Sequence, residues 1–212
     1  MLVRSDKNNK NISCVCHKFN VVDENNEPFD VNTAMYLDYK EDYIYTKEDL
    51  KKRQYPGQTA TQVFRNFFKD MTPEDKALYK SIRCNGDIKT YVPMLKMGDI
   101  YCIDEVMSSY RVTYTGDSWT ARNIGKNLCL RYFNSNCDLK KYAREVLNID
   151  INRKKQQDGI VCKAFIIYLT NRTEENRRIF LELFKRSSKK PVLVFKIFGT
   201  TATKLIKKIF KR

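Results

Sequence analysis

The character of the sequence changes near Asp138, and this change constrains the fold more than any other feature. Before this point, short β-branched and aromatic segments alternate with turn residues and short helical segments. Beyond it, the apolar residues recur at helical spacing. The first pattern is typical of an α/β fold and the second of packed helices. We therefore predict a small mixed sheet within residues 1–137 and a helical region over residues 138–212.

Local signals predict where the individual elements lie. Thr72 to Asp75 combine a cap, a proline and two early acids, which predicts a helix start, and Gly98 predicts a helix end. Pro93 predicts a bend or a boundary inside the helix before Gly98. The predicted strands are Ile12–Val22, Thr61–Arg65 and two short strands at a sheet edge, Asp99–Ile103 and Val106–Val112. The predicted helices are Thr46–Arg53, one starting at Thr72, Asp87–Met97, Ala121–Tyr132, Asp138–Leu147, Ile160–Leu169 and Glu174–Arg186, the last capped by Thr173.

The net charge of +15 is concentrated at one end of the 212-residue chain. Ten basic residues and no acidic residue lie within residues 183–212, which leaves a net charge of +5 on the rest. Such a distribution is typical of a surface-seeking tail rather than a binding face that runs through the fold. No apolar run approaches the roughly 18 residues of a membrane span, and the N-terminus lacks the apolar core of a signal peptide. We therefore expect a cytoplasmic protein.

The last residues have the pattern of a basic amphipathic helix. Its apolar face contains Leu205, Ile209 and Phe210, and its basic residues include Lys204, Lys207 and Lys208. Such a helix binds anionic membrane surfaces, so we expect association with the inner face of the membrane. The alternative is a helix that packs on its own domain.

Nucleic-acid binding is the competing functional class, because a pI near 9.5 and 12% aromatic residues permit it. Against it, the charge is terminal, Lys outnumbers Arg in the tail, and no helix-turn-helix, zinc-finger or RNA-binding aromatic signature occurs. We therefore favour an interpretation without a nucleic-acid partner.

Cysteine and histidine chemistry gives little indication of a site. The seven cysteines are odd in number and contain no C-x-x-C pair, so we expect free thiols. His17 lies beside Cys14 and Cys16, but their spacing fits no common zinc pattern. A strand would also direct the two cysteines to one face and His17 to the other. We predict no metal site there.

Four segments in order resemble the C-terminal half of family 2 glycosyltransferases, the inverting sugar transferases of the GT-A fold. They are "ISCVCHKFNVVDENN", "TATQVFRN", "CNGDIKTYVPML" and "GDIYCIDEVMSSYRVTYTGDSW". The similarity covers roughly residues 12–135, and its most specific part runs from Asp104 to Trp119. The resemblance implies an incomplete GT-A, Rossmann-like domain on the acceptor side. It also implies inverting transfer of a sugar from a nucleotide donor to a glycan or lipid-linked acceptor.

The resemblance assigns the catalytic base of the family to Asp87. Inverting transfer requires a base that takes the proton from the acceptor hydroxyl as it attacks the sugar carbon. A carboxylate at a helix start suits this role because it is held firmly while it faces a cleft. The alternative is that Asp87 only caps its helix, since Asp is a preferred N-cap residue.

The resemblance also assigns a closing loop over the active site, and with it Arg111, Asp117 and Trp119 as substrate-binding residues. Thr113 stands where some members of the family have a metal- or diphosphate-binding histidine, and Asp117 is the nearby residue that could replace it. The alternatives are a surface ion pair for Arg111 and a packing role for Trp119.

The donor half of the family is missing from these residues. No two of the fifteen aspartates form an Asp-x-Asp pair, the hard-oxygen site that binds Mg²⁺ or Mn²⁺ in the complete fold. We therefore expect a nucleotide-sugar donor, and its divalent metal, only where a complementary half is supplied, and expect a lone chain to be incomplete or inactive. Without that half, the edge of the Ile12–Val22 strand would be exposed.

Overall fold

The computed structural model describes residues 11–29, 36, 38–52 and 55–187. The chain divides into two compact units, one of Met1–Ile124 with Asp138–Asn152 and one of Gly125–Cys137 with Arg153–Arg212. Asp138, where the sequence pattern changes, is one of the points at which the chain passes from one unit to the other. The described residues have the predicted α/β class, with a small mixed four-stranded sheet and helices.

The sheet belongs to the first unit and has the strand order β2-β4-β1-β3. Its strands are β1 (Ile12–Val22), β2 (Tyr43–Tyr45), β3 (Gln62–Phe64) and β4 (Asp99–Arg111). β1 and β4 run parallel along almost their whole length, and the two short strands pair antiparallel on the outside. The edge of β1 was expected to be exposed, and this prediction is wrong for Cys14–Cys16, where β3 pairs with β1.

β4 corrects a second prediction, since it is one strand and not two short strands at a sheet edge. It lies between β2 and β1. Asp104 and Glu105 lie between the two predicted strands, and the single strand accommodates them as a bulge: His17 pairs with Ile103, and Lys18 pairs with Val106. The Asp104 carboxylate forms an ion pair with Lys18 of β1, so the negative charge of Asp104 is compensated within the sheet.

The segment predicted as one helix, Asp87–Met97, contains two. α4 (Gly86–Lys89) and α5 (Tyr91–Met97) meet at Thr90, and Gly98 ends α5 as expected. Pro93 explains the break: it lies in the first turn of α5, where its missing N–H has no helical acceptor, and a longer helix would bring its ring against a preceding carbonyl. Residue 87 is therefore inside the first turn of a short helix.

Buried tyrosines form much of the core of the first unit. Tyr45, Tyr55 and Tyr91 are each 2% exposed or less, and the rings of Tyr55 and Tyr91 stack with centroids 5.7 Å apart. The Tyr91 hydroxyl donates to the Gly57 carbonyl, so its burial leaves no unpaired donor. The remaining helices here are α1 (Lys47–Lys52), α2 (Phe67–Asp70), α3 (Pro73–Ser81) and α6 (Trp119–Asn123).

The helices after α6 correct two further boundaries. The predicted helix Ala121–Tyr132 is interrupted at Gly125, whose φ of +73° favours glycine. The chain then forms α7 (Cys129–Leu147), which includes the predicted helix Asp138–Leu147. α8 (Lys154–Thr170) starts six residues earlier than predicted, and α9 (Glu174–Arg186) has the predicted bounds.

The second unit has its own core, formed where α8 packs on α9. Phe165 and Phe180 meet with ring centroids 5.0 Å apart, and Val161, Ile179 and Leu183 are buried around them. Among the described helices, none is long and apolar enough to cross a membrane. All seven cysteines are free thiols, as predicted.

Candidate active site

Asp87 does not act as the cap of its helix. The N-cap residue of α4 is Asn85, and Asp87 is the second residue of the helix. Asp87 is partly exposed, and its carboxylate accepts a hydrogen bond through Oδ1 from the Thr59 hydroxyl, 28 residues away along the chain. Among the described residues, no hydrogen-bond partner reaches the other oxygen, Oδ2. One carboxylate oxygen is therefore held by a second loop while the other is available.

Thr59 begins a one-turn 3-10 helix, Thr59–Thr61, and the loop that leads into it lies against the sheet. A side-chain carbon on Gly57 would lie 3.5 Å from the His17 carbonyl oxygen and 2.4 Å from Thr61 Oγ1, so the loop lies close to the backbone of β1. The Gly57 carbonyl accepts the hydroxyl of buried Tyr91. These contacts place Thr59, and through it Asp87, near the middle of β1.

Tyr36 lies beside this pair. Its ring meets that of Phe19 edge to face at 5.0 Å, and its backbone forms a bridge with Tyr55. Gln58, the neighbour of Thr59, forms a hydrogen bond with the Tyr36 side chain. Burial, and then the negative charge of Asp87, raise the pKa of Tyr36 to about 12, so this phenol stays protonated at neutral pH.

Arg111 and the loop that follows it lie further along the sheet. Arg111 is the last residue of β4, and its guanidinium donates to Asn26 Oδ1 at 2.7 Å in the turn after β1. Because β1 and β4 are parallel, their C-terminal ends lie at the same end of the sheet, which explains this contact. Arg111 is exposed and makes the kind of surface contact that the alternative interpretation assigned to it, although with an amide rather than an acid.

The predicted closing loop is attached to the same turn. Glu24 accepts hydrogen bonds from the Tyr114 N–H at 3.0 Å and from the Thr115 hydroxyl at 3.2 Å. Asp117 has a side chain that is 95% exposed and forms an ion pair with Arg122 at 3.4 Å. Trp119 begins α6, and its side chain lies outside the described part of the chain.

The predicted site residues are therefore spread along the sheet. The loop that holds Asp87 crosses β1 at His17, whereas Arg111 pairs with Val22, five positions further. At about 3.3 Å per residue this is a separation of roughly 16 Å along the strand. The bonding partners of Asp87 and Arg111 are separate, and neither residue contacts the other directly. A substrate that reached both would have to extend along the β1–β4 pair.

The residues that surround Asp87 were not predicted from the sequence. Tyr36, Gln58 and Thr59 are brought to it from two separate segments. The Pro56-Gly57 pair signals a turn, but no pattern in the sequence indicates that this turn faces residue 87. Tyr110 also belongs here, because it pairs with Val21 of β1, two residues beyond the Phe19 that Tyr36 contacts.

The described residues do not supply a metal site. Within residues 11–29, 36, 38–52 and 55–187, no group of three or more His, Cys, Asp and Glu side chains is arranged to hold an ion. A cavity of about 230 Å³ in the first unit is lined by Phe67, Pro93 and Tyr142 among others, and Asp87 is not part of it. Asp87 instead lies at an open surface beside Tyr36.

The membrane-binding residues predicted at the C-terminus, Lys204, Leu205, Lys207, Lys208, Ile209 and Phe210, lie outside the described residues. Comparison with known proteins adds no assignment: no family model, no curated protein and no solved structure matches this chain.

Proposed function

We propose that this chain is the acceptor-side part of an inverting glycosyltransferase with an incomplete GT-A fold, and that Asp87 is its general base. The four ordered segments that resemble the family support this proposal, together with one observation. The Asp87 carboxylate is held by Thr59 from another loop, with one oxygen available, instead of capping its own helix.

The proposed reaction uses the available oxygen of Asp87. The acceptor hydroxyl donates its hydrogen bond to Oδ2, and its oxygen attacks the anomeric carbon of the donor sugar. The new carbon–oxygen bond forms as the bond to the nucleoside diphosphate breaks on the opposite face, which inverts the configuration. Asp87 takes the proton, and the diphosphate leaves with the electron pair of the broken bond.

The donor and its metal would be bound by a nucleotide-binding half that is not among these residues. The complete family fold uses Mg²⁺ or Mn²⁺ at hard oxygen ligands. Among the described residues, no group of His, Cys, Asp and Glu side chains would hold this ion, so its ligands are proposed for the complementary half. The proposed partners of this chain are the complementary half, a nucleotide-sugar and a glycan or lipid-linked acceptor.

A second proposal concerns localisation and depends on the sequence alone. The segment of residues 204–210 has a basic amphipathic pattern, and we propose that it binds the anionic inner face of the membrane. Leu205→Glu or Ile209→Glu should abolish binding to anionic liposomes, because each puts a charge on the apolar face. Retained binding by both variants would contradict this proposal.

Asp87→Asn tests the catalytic proposal in the enzyme that contains both halves. Asn cannot take a proton, so we expect kcat to fall about 10²–10⁴-fold, with the KM for acceptor little changed. Asp70→Asn is the matched control, because it removes an exposed carboxylate of α2 that lies outside the site. Undiminished turnover of Asp87→Asn would exclude Asp87 as the base.

A further inference from the structure

A row of partly exposed aromatic and polar side chains leads away from Asp87 along the β1–β4 pair. We call it the acceptor strip and define it as Phe19, Tyr36, Gln58 and Tyr110. Tyr36 meets Phe19 of β1, and Tyr110 of β4 pairs with Val21, two residues further along β1. From His17, where the Asp87 loop crosses, to Val21 the strip spans about 13 Å.

The members of the acceptor strip are linked to one another and to Asp87. Gln58 bonds Tyr36, and its neighbour Thr59 bonds Asp87. Phe19, Tyr36 and Gln58 are half-buried, and Tyr110 is 39% exposed, so the backbone holds them while part of each side chain remains accessible. The aromatic strip and the carboxylate therefore form one surface.

The chemistry of this surface favours a neutral, hydroxylated ring. Tyrosine rings offer apolar faces, while phenol and amide groups donate and accept hydrogen bonds at their margins. The negative charge of Asp87 acts on Tyr36 and contributes, after burial, to its raised pKa. The one cation of this part of β1, Lys18, is paired with Asp104. The negative charge of Asp87 would repel a phosphate placed beside it, whereas it would not repel a neutral sugar.

We propose that the acceptor strip binds the terminal glycosyl unit of the acceptor, with a sugar ring against Tyr36 and Tyr110 and one ring hydroxyl directed to Asp87. This inference depends on the proposed function and deepens it. It assigns recognition to the carbohydrate part of the acceptor and not to a lipid phosphate. It also assigns Tyr36, Gln58 and Tyr110 as binding residues that the sequence patterns did not reveal.

Ligand-observed NMR on the full chain tests the proposal without any donor. The probes are methyl glycosides of common hexoses and N-acetylhexosamines, with inorganic phosphate and glycerol 3-phosphate as competing anions. We expect saturation transfer to the ring protons of at least one glycoside, and no displacement by either anion. Absence of binding by every glycoside, or stronger binding of the anions, would overturn the proposal.

Variants then locate the binding. Tyr110→Ala removes a side chain that is already 39% exposed and should fold normally. Both Tyr110→Ala and Tyr36→Ala should weaken glycoside binding about tenfold, since each removes a ring face. Tyr168→Ala in α8 of the second unit is the matched control and should bind like the wild type. Unchanged affinity in both strip variants would overturn the inference.

The two proposals fail separately. In the assembled enzyme, strip variants should raise the acceptor KM and leave kcat within about twofold, whereas Asp87→Asn should lower kcat. If the strip variants had no effect while Asp87→Asn was inactive, only the acceptor-strip proposal would be refuted. A fully active Asp87→Asn variant would exclude Asp87 as the general base, whatever result the strip variants gave.

Discussion

At the scale of single residues, Asp87 shows how one hydrogen bond decides what a carboxylate can do. An acid in the first turn of a helix is usually explained by capping or by the helix dipole. Here the carboxylate bonds Thr59 of another loop, and its charge acts on Tyr36. The local sequence around residue 87 was consistent with a capping role for Asp87, whereas in the structure Asn85 is the N-cap residue and Asp87 bonds Thr59.

The pKa of Tyr36 provides a measurement of this arrangement. Burial is the first cause of its rise to about 12, and the negative charge of Asp87 is the second. Asp87→Asn removes that charge, which makes the phenolate less unfavourable, so the pKa of Tyr36 should fall. The titration can be followed by NMR of labelled tyrosine, with Tyr36→Phe to assign the signal. Asp117→Asn, which removes an exposed carboxylate, should leave the signal where it is; an unchanged pKa in Asp87→Asn would contradict the structure.

At the scale of elements, two backbone segments approach closely at the junction of α5 and β4. Gly98 ends α5, and its neighbour Asp99 donates its backbone N–H to the Asn11 carbonyl at 2.7 Å, where β1 begins. A side-chain carbon on Gly98 would lie 1.9 Å from that same carbonyl oxygen. The glycine is therefore required by close approach of two backbones.

Gly98→Ala should destabilise the protein by about 1–3 kcal/mol, because the start of β1 must move away from the new methyl group. Gly159→Ala is the control: the space around it is open, it lies inside α8, and alanine favours a helix by up to about 1 kcal/mol. Urea unfolding of both variants measures the two effects. A Gly98→Ala protein as stable as the wild type would show that the two backbones are further apart.

At the scale of the whole molecule, hydrogen-bonded carboxylates make the stability depend on pH. Asp49 is 5% exposed and accepts hydrogen bonds from Tyr43 and from the N–H and hydroxyl of Thr46. Burial alone would raise the pKa of Asp49, but these hydrogen bonds outweigh it and hold the pKa below its usual value. The pKa of Asp138, which is bonded to Arg83, is also lowered despite its partial burial.

A folded-state pKa below the unfolded value stabilises the protein above the unfolded pKa of about 3.9, and this contribution is lost as the pH falls through the folded value. Asp49→Asn places an N–H₂ group where an acceptor is needed and should cost about 1–3 kcal/mol at pH 7. Its deficit relative to wild type should shrink below pH 4. Urea unfolding from pH 7 to pH 3 checks this, with Asp117→Asn expected to follow the wild type; a deficit that stays constant with pH would contradict it.

The sequence by itself determined the elements whose signals lie within a few residues of one another. The caps at Thr72 and Thr173 accept the predicted backbone N–H bonds, and β1 and α9 have the predicted bounds. These features depend on hydrogen bonds and side-chain alternation between near neighbours, so local residue types are sufficient.

Contacts between distant segments became known from the folded chain alone. The parallel pairing of β1 with β4 joins residues some 86 positions apart and turns two predicted strands into one. The contact between Thr59 and Asp87 spans 28 residues. Such pairings follow from how the whole chain closes its loops and buries its core, and no short pattern encodes which loop faces which carboxylate.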